Sequence, residues 1–100
     1  MVESIVNSSE YVAGDPVDLR VVVRRFPYVD DRGAAVAKAG RPAGWLDVAT
    51  DLARELDVNV NRAGVLSLPV VPRGPGFDEI ARRVAEASVA LYGALLELEV

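Results

Sequence analysis

The sequence predicts an α+β fold in two layers, an antiparallel sheet with two helices on one face. Three observations carry that expectation. β-branched residues alternate over Asp18 to Phe26, apolar residues recur at helical spacing from Trp45 and again from Phe77, and a turn at Arg62-Ala63-Gly64 separates two β-prone stretches. The resulting order is β-α-β-β-α, with a further strand at the end as one of two readings of residues 94–100.

The first strand rests on Leu19, Val21 and Val23 pointing one way and Arg20, Val22 and Arg24 the other. Pro27 lacks a ladder donor and ends it. Upstream, Gly14-Asp15-Pro16 is turn chemistry. Residues 1–17 therefore read as an N-terminal arm or a short edge strand around Glu3 to Val6, and residues 18–100 as a single α+β domain. From Tyr28 to Gly44, glycines at both ends and Pro42 mark a long loop, within which Ala34 to Ala39 has the length of a helical turn or two.

Trp45 to Asp57 is an amphipathic helix. Ala49, Leu52, Ala53 and Leu56 share its apolar face, and Asp47, Asp51 and Glu55 form a polar row. The period then changes, with Val58 and Val60 alternating with asparagines and Val65 to Val71 resuming after the turn, which is a hairpin pattern. Pro72 to Gly76 is a stop, and the second helix begins at about Phe77 or Asp78. Its stripe runs Phe77, Ile80, Val84, Ala87, Leu91, Ala94. Its end admits two readings: a cap at Gly93 followed by an alternating strand over Leu96 to Val100, or a helix reaching about Leu98. This order matches the ferredoxin-like sandwich, an architecture that hosts unrelated activities.

The chemistry available to the chain is narrow. It contains no histidine and no cysteine, and its one lysine is Lys38. The usual nucleophiles, proton shuttles and transition-metal ligands are therefore missing. No serine lies in an elbow motif, so a hydrolase triad is excluded within this chain. Carboxylates and Tyr11, Tyr28 and Tyr92 leave room only for acid–base chemistry of the isomerase or cyclase kind. The acidic row Asp47, Asp51, Glu55 and the pair Asp30-Asp31 read as a solvated face and a turn, not as metal sites. The turn Arg73 to Gly76 reads as a helix entry, because Asp78 and Glu79 would compete with a bound anion for the free amides. No cofactor is expected.

Composition bounds the partners. Hydrophobic residues make up 51% and charged residues 26% of the 100 residues, which suits one folded domain. A formal net charge of −4 disfavours a nucleic-acid surface. No signal peptide and no apolar run of membrane-spanning length is visible, which points to a cytoplasmic protein with no membrane partner. Arginine in place of lysine, with abundant alanine and valine, is a composition common in GC-rich bacterial genomes.

The segment Ala85 to Val100 directs the functional reading. Val89, Tyr92 and Leu96 lie opposite the core stripe, so a helix there is apolar nearly all round; if the terminus is instead a strand, Leu96, Leu98 and Val100 face one way and leave an apolar face to be covered. A helix in a two-layer domain has one inward face, and the surplus needs a partner. Val89, Tyr92, Leu96 and Leu98 are accordingly the expected interface. The leading reading is a small non-catalytic oligomerising or adaptor subunit whose partner is itself or another protein. The alternatives are a dimeric module holding a small ligand in a pocket lined by Tyr28 and Trp45, and, behind it, a carboxylate- or tyrosine-dependent isomerase or cyclase.

Overall fold

A computed structural model describes residues 2–98. In chain order these are β1 (Val2–Val12), β2 (Asp15–Val23), β3 (Tyr28–Asp30), α1 (Ala34–Ala39), α2 (Trp45–Glu55), β4 (Asn59–Val60), β5 (Leu66–Pro69) and α3 (Phe77–Glu97). The five strands form one antiparallel sheet in the order β1-β2-β3-β5-β4. The α+β class and the open antiparallel sheet agree with the sequence. The ferredoxin-like order does not: the strands come first, three of them in succession, and there are three helices, not two.

Each departure has a local cause. Ala13 and Gly14 both adopt left-handed backbone, φ 53° and 83°, which is a two-residue hairpin turn of the kind that fits the strand twist. Alanine is an unusual residue for its first position, so the sequence shows only the glycine half of the turn. The hairpin makes the whole of Val2–Val12 a strand and starts β2 at Asp15, where a free arm or short edge strand was expected. A bulge sits in β1 where the register shifts between Asn7 and Tyr11, and the Ser8 hydroxyl accepts from the Glu10 amide within it.

The expected long loop of residues 28–44 holds β3 and α1. β3 is central, pairing with β2 through Val21 opposite Val29 and with β5 through Val29 opposite Leu68. A three-residue strand carries too few residues to show a period, so only its proline and glycine neighbours speak in the sequence. α1 occupies Ala34–Ala39, the stretch read as a turn or two of helix. α2 and the β4–β5 hairpin lie where periodicity put them.

α3 continues through Glu97 and is capped at Leu98, so the strand over residues 94–100 is not formed among the described residues; Glu99 and Val100 lie outside them. Gly93 stays helical because α3 packs along its length on the sheet and on α1 and α2, and tertiary packing overrides its weak propensity.

Pairing fixes which side chains share a face. Val17, Leu19, Val29, Leu66 and Leu68 point to the helices, while Arg20, Val22, Tyr28 and Asp30 point to the open side. Two clusters form the core. One joins Val17, Leu19 and Val29 to Ile80, Val84 and Ala85 of α3. The other joins Val36, Ala49, Ala53 and Leu66 to Leu91 and Leu95, with Trp45 and Leu52 packed against it. Leu52 is half-buried, so Leu52→Ala is expected to cost about 1–3 kcal/mol in urea unfolding, less than a fully buried leucine. A loss below about 0.5 kcal/mol would show that this face of α2 contributes no packing.

Candidate functional site

Among the described residues the most unusual chemistry is a pair of buried carboxylates at the end of β3. Asp30 and Asp31 are 1% and 0% exposed. They are placed by a turn in which Arg32 and Gly33 take left-handed backbone, φ 59° and 72°. Asp31 Oδ1 accepts from the Gly33 and Leu66 amides, both at 2.9 Å, and its Oδ2 accepts from the Ser88 hydroxyl at 2.8 Å. The Asp31 amide in turn donates to the Leu66 carbonyl at 3.0 Å. One side chain thereby ties β3, the start of α1, β5 and α3 together.

Asp30 faces the open side. Its Oδ2 accepts from Arg20 Nε at 3.0 Å and Nη2 at 2.6 Å, and its Oδ1 accepts from the Arg32 amide at 3.0 Å. The hydrogen bonds it donates to Asp30 hold the Arg20 guanidinium firmly protonated. Glu3 lies 3.9 Å from the same guanidinium. Burial pushes the Asp31 carboxyl above the ordinary aspartate range, against the pull of its hydrogen bonds from Gly33, Leu66 and Ser88, with the charge of Asp30 adding to the rise. A raised carboxyl can mark a general acid. Here, however, both oxygens are saturated by internal donors and closed to solvent, so no substrate atom reaches them and the pair acts as a structural staple.

The other acidic row behaves as a solvated face. Asp47, Asp51 and Glu55 are exposed, and Asp51 has only Arg54 beside it at 3.8 Å. No group of three or more potential metal ligands occurs among the described residues. Glu79 at the start of α3 is engaged by Arg82 and Arg83, so that carboxylate at the helix entry is already satisfied.

Tyr28 and Trp45 are not brought together. Tyr28 lies on the open face with Arg24 5.1 Å over its ring. Trp45 packs against the helix-side cluster with Arg41 5.7 Å over its ring. Cation–π contact occupies one side of each, and the sheet lies between them.

The four expected interface residues divide. Val89 and Tyr92 are half-buried against the intradomain clusters, Tyr92 touching both. Leu96 and Leu98 are exposed, 38% and 39%. The premise of a single inward face fails because α1 and α2 flank α3, widening its buried arc beyond what a two-layer sandwich gives.

The outer half of the β1–β2 hairpin carries an apolar surface that periodicity along the chain does not reveal. Val2, Ile5 and Val23 are 60%, 52% and 47% exposed, and Phe26 beyond them is 73% exposed. Val2 and Val23 pair on the helix side and Ile5 sits on the open side, so exposed apolar side chains stand on both faces of this end of the sheet, although Val22 on the open side is buried. The missing signal was the hairpin itself, since a free arm would make the same residues unremarkable. Beside it lies a groove of about 290 Å³ between the β1 bulge and α3, lined by Asn7, Ser8, Glu10, Leu19, Asp78 and Arg82 among others.

No helix among the described residues is long and apolar enough to cross a membrane. No protein-family model, curated protein or solved structure matches this chain.

Proposed function

We propose that the chain is a non-catalytic assembly subunit, acting through protein–protein association. The observation that supports this most directly is the contrast between the Asp31 carboxylate, satisfied within the domain, and large apolar side chains left exposed, among them those of the outer β1–β2 hairpin and Leu96 near the end of α3. Fully burying such a side chain is worth roughly 1.5–3 kcal/mol, and an interface recovers the part of it that the exposed fraction forfeits.

Light scattering from low to high micromolar concentration, with native mass spectrometry, tests it. The expected result is a mass above that of the monomer, 10.7 kDa. A monomer throughout, with nothing bound, would remove the reading.

The groove beside the β1 bulge supports a second reading, a module that holds a small ligand. Its volume, about 290 Å³, is at the lower end of small-molecule sites. A mass retained on the native chain beyond its own, lost on mild activation, would favour it over assembly.

A further inference from the structure

We propose that a second copy of this chain pairs with the free edge of β1, antiparallel and with Ile5 opposite its symmetry mate, so that two five-stranded sheets become one. The proposal rests on the assembly reading and names its partner and surface. Among the described residues β1 pairs only with β2, which leaves its outer row of amides and carbonyls free to template another strand. The devices that usually blunt such an edge are scarce before the bulge: residues 2–7 include no proline and no lysine, and a single charge at Glu3.

The strand is self-complementary in a way that selects the register. Glu3, Ile5 and Asn7 lie on the open face, opposite Val22, Arg20 and Asp18, while Val2, Ser4 and Val6 lie on the helix face. Residues opposite one another in an antiparallel pair point to the same face. A two-fold axis normal to the joined sheet keeps the faces continuous only if it passes beside one residue, which then faces its own copy. Centring on Glu3 sets two carboxylates directly opposite each other, which is repulsive. Centring on Ser4 leaves the two Glu3 side chains as diagonal neighbours on one face. Centring on Val6 or beyond runs the pairing into the bulge at residues 8–10.

Centring on Ile5 avoids all three. It pairs residues 3–7 with 7–3, buries the half-exposed Ile5 against itself, and sets each Glu3 opposite the amide of Asn7, which donates to a carboxylate. Arg20, beside Ile5 on β2 and near Glu3, balances that charge from within each copy.

The absence of native cysteine makes a single introduced thiol unique. Glu3→Cys, Ser4→Cys, Ile5→Cys, Val6→Cys and, on α3, Leu96→Cys would each be oxidised mildly and scored for covalent dimer. Opposed residues place Cα atoms about 4.5–5.5 Å apart, within disulfide reach. A maximum at Ile5→Cys is expected. A maximum at Leu96→Cys, or at another β1 position, overturns this pairing while the assembly reading stands; a wild-type chain monomeric by light scattering removes both. As an independent measure, Ile5→Lys should lower the scattering mass to that of the monomer with an unchanged circular dichroism spectrum, and mixing it with Ile5→Glu should restore the dimer. Failure of the mixture to recover dimer, or an Ile5→Lys chain that still dimerises, counts against the pairing.

Discussion

Replacing Asp31 by alanine is expected to cost about 3–5 kcal/mol of folding stability, enough to leave the domain partly unfolded at room temperature. The change removes no large apolar surface. Its effect comes from the donors left behind: the amides of Gly33 and Leu66 and the hydroxyl of Ser88 lose their acceptor inside a closed core. Each unsatisfied buried group costs about 1–3 kcal/mol, offset in part by no longer burying a charge. A loss under about 1 kcal/mol in urea unfolding would show that water enters and replaces the carboxylate.

Asp31→Asn separates the staple from its charge. The amide keeps an oxygen for the two backbone donors, and its nitrogen can donate to the Ser88 hydroxyl, which then acts as acceptor. Because burial raises the folded-state carboxyl above its unfolded value, the native protein binds that proton more readily. The stability this contributes is fully present below the ordinary aspartate pKa of about 3.9 and is lost as pH rises through the raised folded-state value. The asparagine chain has no such loss. Unfolding curves taken from acid to neutral pH should therefore show Asp31→Asn gaining on the wild type as pH rises, and parallel curves would mean that the hydrogen bonds to the carboxylate cancel the cost of burying it.

The staple also shows where the sequence was legible. Long periodic segments were: α2, α3, the faces of β2 and the β4–β5 hairpin all follow from spacing, because each presents enough residues for a period to be read. Elements defined by a single turn or partner were not. β3 is three residues long, and its place at the centre of the sheet depends on strands far away in the chain. Asp30-Asp31 has the composition of an exposed turn, and only the arrival of Leu66 and Ser88 makes it a buried one. The same holds for the exposed hairpin end. Val2, Ile5 and Val23 became neighbours through Ala13-Gly14, a turn whose first residue carries little turn signal. For α3 the apolar surplus was real in the sequence, but how much of it faces inward depends on α1 and α2 packed beside it, which no helical wheel contains.

Gly64→Ala is expected to cost about 2–5 kcal/mol, although it adds a single methyl group. Gly64 closes the β4–β5 turn: its amide donates to the Asn61 carbonyl at 3.0 Å, and the Asn61 side chain accepts from the amides of Ala63 and Val65 on either side. That closure requires the left-handed backbone at φ +86°, which costs a residue with a Cβ about 1–2 kcal/mol. A Cβ there would also stand 2.5 Å from Val36 Cγ2 and 3.0 Å from Trp45 Cζ3. Val36 is fully buried and Trp45 is packed on the same cluster, so neither yields without moving α1 or the start of α2, and overpacking of this kind costs about 1–3 kcal/mol. Gly40→Ala serves as the control. Gly40 has a similar φ of +80°, but a Cβ added there would meet nothing within 4 Å, so it reports the backbone part alone. Thermal unfolding of both variants should show Gly64→Ala the more damaging by at least about 1 kcal/mol; equal losses would mean that α1 and Trp45 shift freely, and that the turn does not set how the helices seat on the sheet.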